Sequence, residues 1–452
     1  MKYFDIRMKS MKTQFKINIK LDFWTIGIAL ALSLISILFI YSSSFHVPLA
    51  QKPFIEKFVK QIIFLVIGLI VYFAIANINY QNLIAKPIFV YGLGVFFLLL
   101  TLLIGTKVNN SKSWIKIGFI SLQLSEFSKI LFLLSFSVFL NNYHHIIKKL
   151  SFLMISFFLL APYLGLLFLQ PDIGTSIIFL IIFFAMLFVS GSNALYLGII
   201  LGTGIIAIFI PFFTYYFVKM TPTESSVISF FNNPGLVTLL GFIFLAASGI
   251  FYFIHRYIAL SKKVFYLFLI LLTVGAGFLF TNAVKLLFKD YHYERFLVFL
   301  NPDTDRYGKG YNIQQSLISI GSGQLAGQGF TKGNQNRGNF LPSEDTDFII
   351  SLIGEEWGFI GIALIIFLYI LLIYRCLYIA YSARDFVSSL IALGITSMYM
   401  GHIMINIFSA IGFFPVVGVP LPFISYGGSS LLTNYIGLGV LFSIKIRRFS
   451  YE

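Results

Sequence analysis

The residues best suited to chemistry are three carboxylates crowded into one octet, Leu341-Pro342-Ser343-Glu344-Asp345-Thr346-Asp347-Phe348, immediately before a long apolar run. Like charge and a low-dielectric neighbour both raise a carboxylate pKa, which is what a general base working near neutrality needs. Asp347 lies deepest, directly against the apolar run, and is the candidate catalytic residue. The competing reading is a capping cluster that interacts with the dipole of the next helix. Glu355-Glu356, two turns further in, lie too deep to cap and are expected to hydrogen-bond to neighbouring helices or a polar cavity. Glu126 and Lys129 share a helical face and fit a mutual ion pair, either a functional site or a half-hydrated pair at a span end. Asp172, between Gln170-Pro171 and Gly174-Thr175, reads as the cap of a following helix. Other chemistries find no support. The histidines are scattered, Cys376 is the only cysteine and Cys-x-x-Cys is absent, so there is neither a zinc pattern nor an internal disulfide. Gly321-x-Gly323 follows no strand, which rejects a dinucleotide fingerprint.

These groups must be held by helices in a membrane. The chain has 452 residues, of which 58% are hydrophobic and 11% charged, whereas a soluble domain carries roughly 25% charged residues. Its apolar runs are unbroken and about twenty residues long, the length of a spanning helix rather than the alternation of a barrel strand. Spans are expected near 23–45, 61–77, 88–104, 126–142, 152–169, 173–190, 194–218, 236–254, 264–285, 348–374, 386–411 and 429–446. The fold class is thus an all-α polytopic membrane protein with about twelve transmembrane helices. The net charge of +15 is scattered through short loops, which suits anionic headgroups and topology control rather than nucleic acid.

Residues 1–22 form a basic N-terminus, and 23–45 is too long and lacks a small-residue cleavage site, so it reads as a retained first span. With the N-terminus in the cytoplasm, Lys148/Lys149, Arg256/Lys262/Lys263, Arg375/Arg384 and Lys445/Arg447/Arg448 all fall inside, as does the tail 447–452. Two outer segments result: 105–125, carrying Lys107, Lys112, Trp114 and Lys116, and the long loop 286–347, in which Ile313–Ile320 is expected as a short interfacial helix. Loops this long are usually functional. Pro415, Pro420, Pro422 and Gly427-Gly428 break the pattern before the last span and predict a packed re-entrant segment lining the same outer site.

At these positions the sequence resembles the SEDS family (shape, elongation, division and sporulation proteins), whose members include RodA and FtsW. The resemblance runs from Trp114-Ile115 to the C-terminus. It includes Gln123-Leu124-Ser125-Glu126-x-x-Lys129, Gln170-Pro171-Asp172-Ile173-Gly174-Thr175 and Arg295 with Phe299-Leu300-Asn301-Pro302. Gly310-Tyr311 through Gln315-Ser316 to Gly321-Ser322-Gly323 follows, then Thr346-Asp347-Phe348-Ile349, Ile353-Gly354-Glu355-Glu356-x-Gly358 and Pro422-Phe423-Ile424-Ser425-Tyr426-Gly427-Gly428-Ser429. Lys332-Gly333-Asn334-Gln335 looks more like RodA than FtsW, and Lys60-Gln61 resembles a frequent Arg-Gln pair of the second span. Leu124 stands where the family usually has proline, and Ser113 where many members have arginine; Lys112 beside it is a candidate to supply that charge. The family usually has ten spans, so 194–285 is expected to hold two extra ones within a membrane domain 23–446.

The resemblance implies a peptidoglycan glycosyltransferase of the bacterial inner membrane that polymerises lipid II, with a class B penicillin-binding protein supplying transpeptidation. It aligns Asp347 with the family's essential acid. An α-linked pyrophosphate donor and a β-1,4 product require inversion, for which one carboxylate base suffices because pyrophosphate already leaves well. Lys112, Lys129, Arg295 and Lys332 are candidate partners for the leaving charge. Lys60, Trp114, Glu126, Gln315, Ser316, Glu355 and Ser425 complete the expected substrate-binding set. No metal ligands are assigned; a divalent cation such as Mg²⁺ is left open. The rival readings are a flippase for lipid-linked precursors and a non-catalytic scaffold for wall enzymes.

Overall fold

The computed structural model describes residues 23–45, 56–108, 111–118, 120–220, 226–258, 262–305, 308–338 and 340–449. The basic segment 1–22 and residues 450–452 of the tail lie outside the described residues. The chain is a multi-pass membrane protein. Among the described residues, eleven helices are long and apolar enough to cross a membrane, and Ile173–Val189 is a shorter apolar twelfth. Their limits fall within four residues of the expected spans, except that the helix from Ile349 runs to Tyr381, seven residues past the expected end at 374.

The N-terminal helices are α1 (Phe23–Phe45), α2 (Lys57–Asn77), short α3 (Tyr80–Ile84) and α4 (Pro87–Ile104). An antiparallel three-stranded sheet follows: β1 (Thr106–Val108), β2 (Ser111–Ile117) and β3 (Ile120–Leu122). It pairs Thr106 with Trp114 and Ile115 with Leu122. No strand was expected here. The segment is too short for the periodicity of an extended sheet to show.

Next come α5 (Leu124–Asn142), α6 (Leu150–Leu169), α7 (Ile173–Val189), α8 (Ala194–Met220), short α9 (Ser226–Asn232), α10 (Pro234–Ile258) and α11 (Lys262–Leu287). The long connection to the next span is itself helical in part: α12 (Asp290–Leu300), α13 (Lys309–Ser322) and α14 (Asn334–Arg337). The expected helix at 313–320 is the centre of α13. The chain ends with α15 (Ile349–Tyr381), α16 (Phe386–Ala410) and α17 (Gly428–Ile446).

In hydrocarbon there is no hydrophobic drive between helices, so close packing and polar contacts must join them. Between α2 and α17, a Cβ added at Gly439 would stand 3.0 Å from the Tyr72 carbonyl oxygen, and one at Gly68 would stand 2.7 Å from the Tyr435 ring. Only hydrogen at these two positions lets the backbones approach so closely. The Ser33 and Tyr435 hydroxyls, 3.0 Å apart, tie α1 to the same helix. Helices α10 and α11 pack on each other, and α11 packs on α8.

Helix α15 is broken at Gly358 (φ 66°, ψ −161°), a backbone conformation that side-chain-bearing residues rarely adopt. A break inside an apolar span must have its freed backbone groups satisfied by protein. Residues 324–329 do this. The amides of Gln328 and Gly329 donate to the carbonyls of Glu355 and Glu356 at 2.9 and 3.0 Å. In the other direction Phe359 and Ile360 donate to Gln324 and Leu325 at 2.8 and 3.1 Å.

Candidate active site

Asp347 sits in the tight turn that precedes α15. The amides of Thr346, Asp347 and Phe348 all point to the Ser343 carbonyl, at 3.1, 3.2 and 3.4 Å. Ser343 itself takes a positive φ of 60° to make the turn. The re-entrant segment after α16 pins the turn from outside. The Tyr426 amide donates to the Asp345 carbonyl at 2.8 Å, and the Ser425 hydroxyl donates to the Thr346 carbonyl. Asn406 Nδ2, from α16, donates to the carbonyls of Asp347 and Val419 at 3.2 and 2.9 Å. Backbone on both sides is therefore fixed while the carboxyl of Asp347 lines a cleft of about 390 Å³.

Four parts of the chain meet at that cleft. Strand β2 brings Ser111, Ser113 and Trp114; the start of α7 brings Asp172; α12 and α13 bring Arg295 and Asn312; the re-entrant segment brings Val416 to Gly418, Pro420 and Tyr426. Helix α12 is clamped by aromatic packing, with Phe212 of α8 4.8 Å from the Tyr293 ring and 4.9 Å from the Phe296 ring. Burial pushes the Asp347 carboxyl up to about 6; Arg295 pulls it back, and Asp345 pushes it further up. Burial in turn lowers the Arg295 pKa, opposed by Asp347 and Asp172 among its neighbours. Arg295 Nε is buried with no hydrogen-bond partner among the described residues. A base and a cation with an uncommitted donor thus face one space.

Asp172 is the cap that its sequence context predicts: it accepts from the Thr175 amide at 3.1 Å and from the Thr175 hydroxyl at 2.8 Å. Burial raises its pKa; those bonds and one from Gln123 Nε2 at 2.8 Å work against the rise. The acidic octet divides three ways. Burial, then Asp345, Glu355 and Glu356, push Glu344 up to about 9, so it is protonated at neutral pH. Asp345 pairs with Lys57 at 2.7 Å. Asp347, pushed to about 6, lies well below Glu344, so environment separates these two carboxyls.

Several expected substrate contacts lie elsewhere. Lys112 Nζ donates to the Leu102 and Leu103 carbonyls at 2.6 and 3.2 Å, satisfying the end of α4 instead of reaching the cleft. Glu126 and Lys129 are both buried and paired at 2.8 Å, Lys129 with no exposure at all, so neither lines the cleft. Ser316 is buried between helices, 2.6 Å from the Ser351 hydroxyl and 2.7 Å from the Ala410 carbonyl. Glu355 is buried and caps α14, accepting from the Gln335 amide at 2.7 Å. Ser425 acts through the backbone clamp described above. Lys332 is exposed, and Gln315 and Lys60 are half-buried; none of the three lines the cleft. Glu356 bonds to Ser42 of α1 and to Asn336, 3.0 Å away, as its depth suggests. Sequence reasoning missed Lys57, Asn406, Asn312 and Tyr426. Asn406, an amide inside an apolar span, carried a readable signal; Lys57 did not, standing one turn before the lysine that the family pattern singled out.

Among the described residues no group of three or more His, Cys, Asp or Glu side chains is placed to hold a metal ion. The fold and cleft define a polytopic helical membrane protein with a polar cleft lined by Asp347 and Arg295. The family of cell cycle proteins typified by FtsW, RodA and SpoVE matches residues 23–235 and 235–449, and the chain belongs to that family. It is similar to the peptidoglycan glycosyltransferase RodA of Treponema pallidum, 31% identical over 441 residues that cover 94% of this chain and 98% of the relative. Stage V sporulation protein E of Bacillus subtilis is 30% identical over 435 residues, covering 94% and 96%. Among solved structures, a chain of a peptidoglycan synthase complex superposes with a TM-score of 0.66 at 22% identity, covering 96% of this chain and 99% of that one. The crystal structure of Thermus thermophilus RodA gives 0.58 at 21% identity, with the same coverage. These two likenesses show a shared fold.

Proposed function

We propose that the protein is a peptidoglycan glycosyltransferase that polymerises lipid II into β-1,4 glycan strands for cell elongation and shape. The observation that carries this reading is the Asp347 carboxyl facing a cleft shared with Arg295. The named activity of the relatives spanning nearly all of the chain supports it. Asp347, ionised above about pH 6, takes the proton of the acceptor sugar's 4-hydroxyl. That oxygen attacks the donor's anomeric carbon from the face opposite the pyrophosphate, and the anomeric C–O bond breaks. The polyprenyl pyrophosphate leaves, its charge met by Arg295. Base catalysis of this kind contributes roughly 10²–10⁴-fold.

On the same reading the cleft faces the extracytoplasmic side of a bacterial inner membrane and both termini are cytoplasmic, a placement that the inward bias of Lys and Arg supports. A class B penicillin-binding protein supplies transpeptidation; the synthase complex that shares the fold supports such a partner. Two spans added to a ten-helix plan lie within 194–285, the region in which the family match divides, at residue 235. The test is purified full-length protein given labelled lipid II. Glycan chains from the wild type and none from folded Asp347→Ala are expected. Lipid II translocation without chain products would replace the polymerase by a transporter.

A further inference from the structure

Beneath the cleft floor lies a buried polar chain that the reaction itself does not use. Lys129 Nζ is 2.8 Å from Glu126 Oε1 and 2.7 Å from His402 Nε2, and His402 Nδ1 is 3.0 Å from the Pro420 carbonyl oxygen. All three residues are at most 3% exposed. An ammonium group has only donors to offer, so Nε2 must accept from Lys129, and the ring proton resides on Nδ1, where it donates to Pro420. One turn along α16, Asn406 holds the adjacent Val419 carbonyl at 2.9 Å and the Asp347 carbonyl at 3.2 Å.

We infer that His402 is a positioning residue: locked as the neutral Nδ1–H tautomer by the Glu126–Lys129 pair, it fastens the Pro420 carbonyl and so sets the cleft floor opposite Asp347. The inference deepens the glycosyltransferase reading and rests on it for its kinetic consequence, but not for its structural one. A pure packing role for His402 would be met by any residue of similar volume. A relay needs an acceptor toward Lys129 and a donor toward Pro420 on one side chain, which glutamine supplies and leucine does not.

The test uses the full chain in three parts. The only native cysteine, Cys376, is buried, so Val417→Cys on the cleft floor reports the position of that floor through its rate of maleimide labelling. His402→Leu is expected to change this rate severalfold and His402→Gln to leave it near the parent value. In the lipid II assay, His402→Leu should lower kcat about tenfold or more with little change in KM, as expected for a displaced reacting geometry, and His402→Gln should restore most of the loss. Nitrogen-15 spectra of histidine-labelled protein, wild type minus His402→Gln, should give the Nδ1–H tautomer for this ring. Equal labelling rates in all three backgrounds, or an imidazolium or Nε2–H signal, would overturn the relay. The spectrum needs only wild type and the glutamine variant, so it still decides if the leucine variant does not fold. Absent glycan synthesis in the wild type, with labelling and tautomer as expected, would sink the polymerase reading and leave the relay intact.

Discussion

Helices α5, α16 and α17 differ from α10 and α11 in a way that runs against simple expectation. The first three are 67%, 72% and 78% buried in protein over their most apolar stretch, and the last two only 17% and 22%. Yet α10 and α11 are the more hydropathic. In water the most apolar helix would hide deepest; in lipid the most apolar face stays outside, and polar side chains are drawn inward to find partners. Low hydropathy in a spanning helix therefore marks the buried polar centre of the bundle. Glu126, Lys129, His402, Asn406 and Asn434 all lie on the three buried helices.

The sharpest way to break this contrast is at the centre itself. Asp347→Asn should abolish glycan synthesis, a loss of roughly 10²–10⁴-fold, and the wild-type rate should fall as pH drops through about 6. Its raised pKa means that the folded state holds the proton more tightly than the unfolded one, so wild-type stability falls as pH rises from the ordinary 3.8 towards 6 and stays lowered above it. The asparagine variant should thus melt higher than wild type at pH 7, with the gain gone below the ordinary carboxyl range. Dead enzyme with a lower melting temperature at pH 7 would make the residue structural.

Next in size is Lys129→Ala. Removing one partner of a fully buried pair typically costs about 3–5 kcal/mol, and replacing Glu126 and Lys129 together by apolar residues should cost less than the two single changes summed. Melting temperatures of the three variants decide it; additivity would mean the pair is uncoupled. The smallest effect belongs to the outer helices. Phe242→Ala, at a residue of α10 that is itself 62% exposed, should alter stability by less than about 0.5 kcal/mol and leave glycan synthesis unchanged. A larger effect would show that this face meets protein rather than lipid.

Much of this was legible in the chain. Apolar length located the spans, because backbone hydrogen bonding in lipid leaves little other choice. Asp347 stood out because a carboxylate against an apolar run has few inexpensive explanations. The direction in which a long side chain reaches did not show in the sequence: Lys112 lies beside cleft residues Ser111 and Ser113 yet turns back to α4. Short hydroxyls such as Ser316 and Ser425 matched a family pattern and proved to bind backbone carbonyls. The break at Gly358 was silent, since Trp357-Gly358-Phe359 reads as one more stretch of apolar helix until a second segment is seen to mend it.

That mended break has a consequence for which lengths the chain tolerates. Nine residues, 349–357, separate Asp347 and its cap from the Gly358 break, a rise of about 13 Å. One end is moored to the 324–329 segment and the other leads into the turn that carries Asp347, so this stretch behaves as a rod of fixed phase. Dropping a single residue from it would rotate Asp347 by about 100° around the helix axis, out of register with Arg295 and with the Tyr426, Ser425 and Asn406 bonds that hold its turn. Insertions and deletions should therefore be ruinous both within the rod and within the 324–329 segment that moors it.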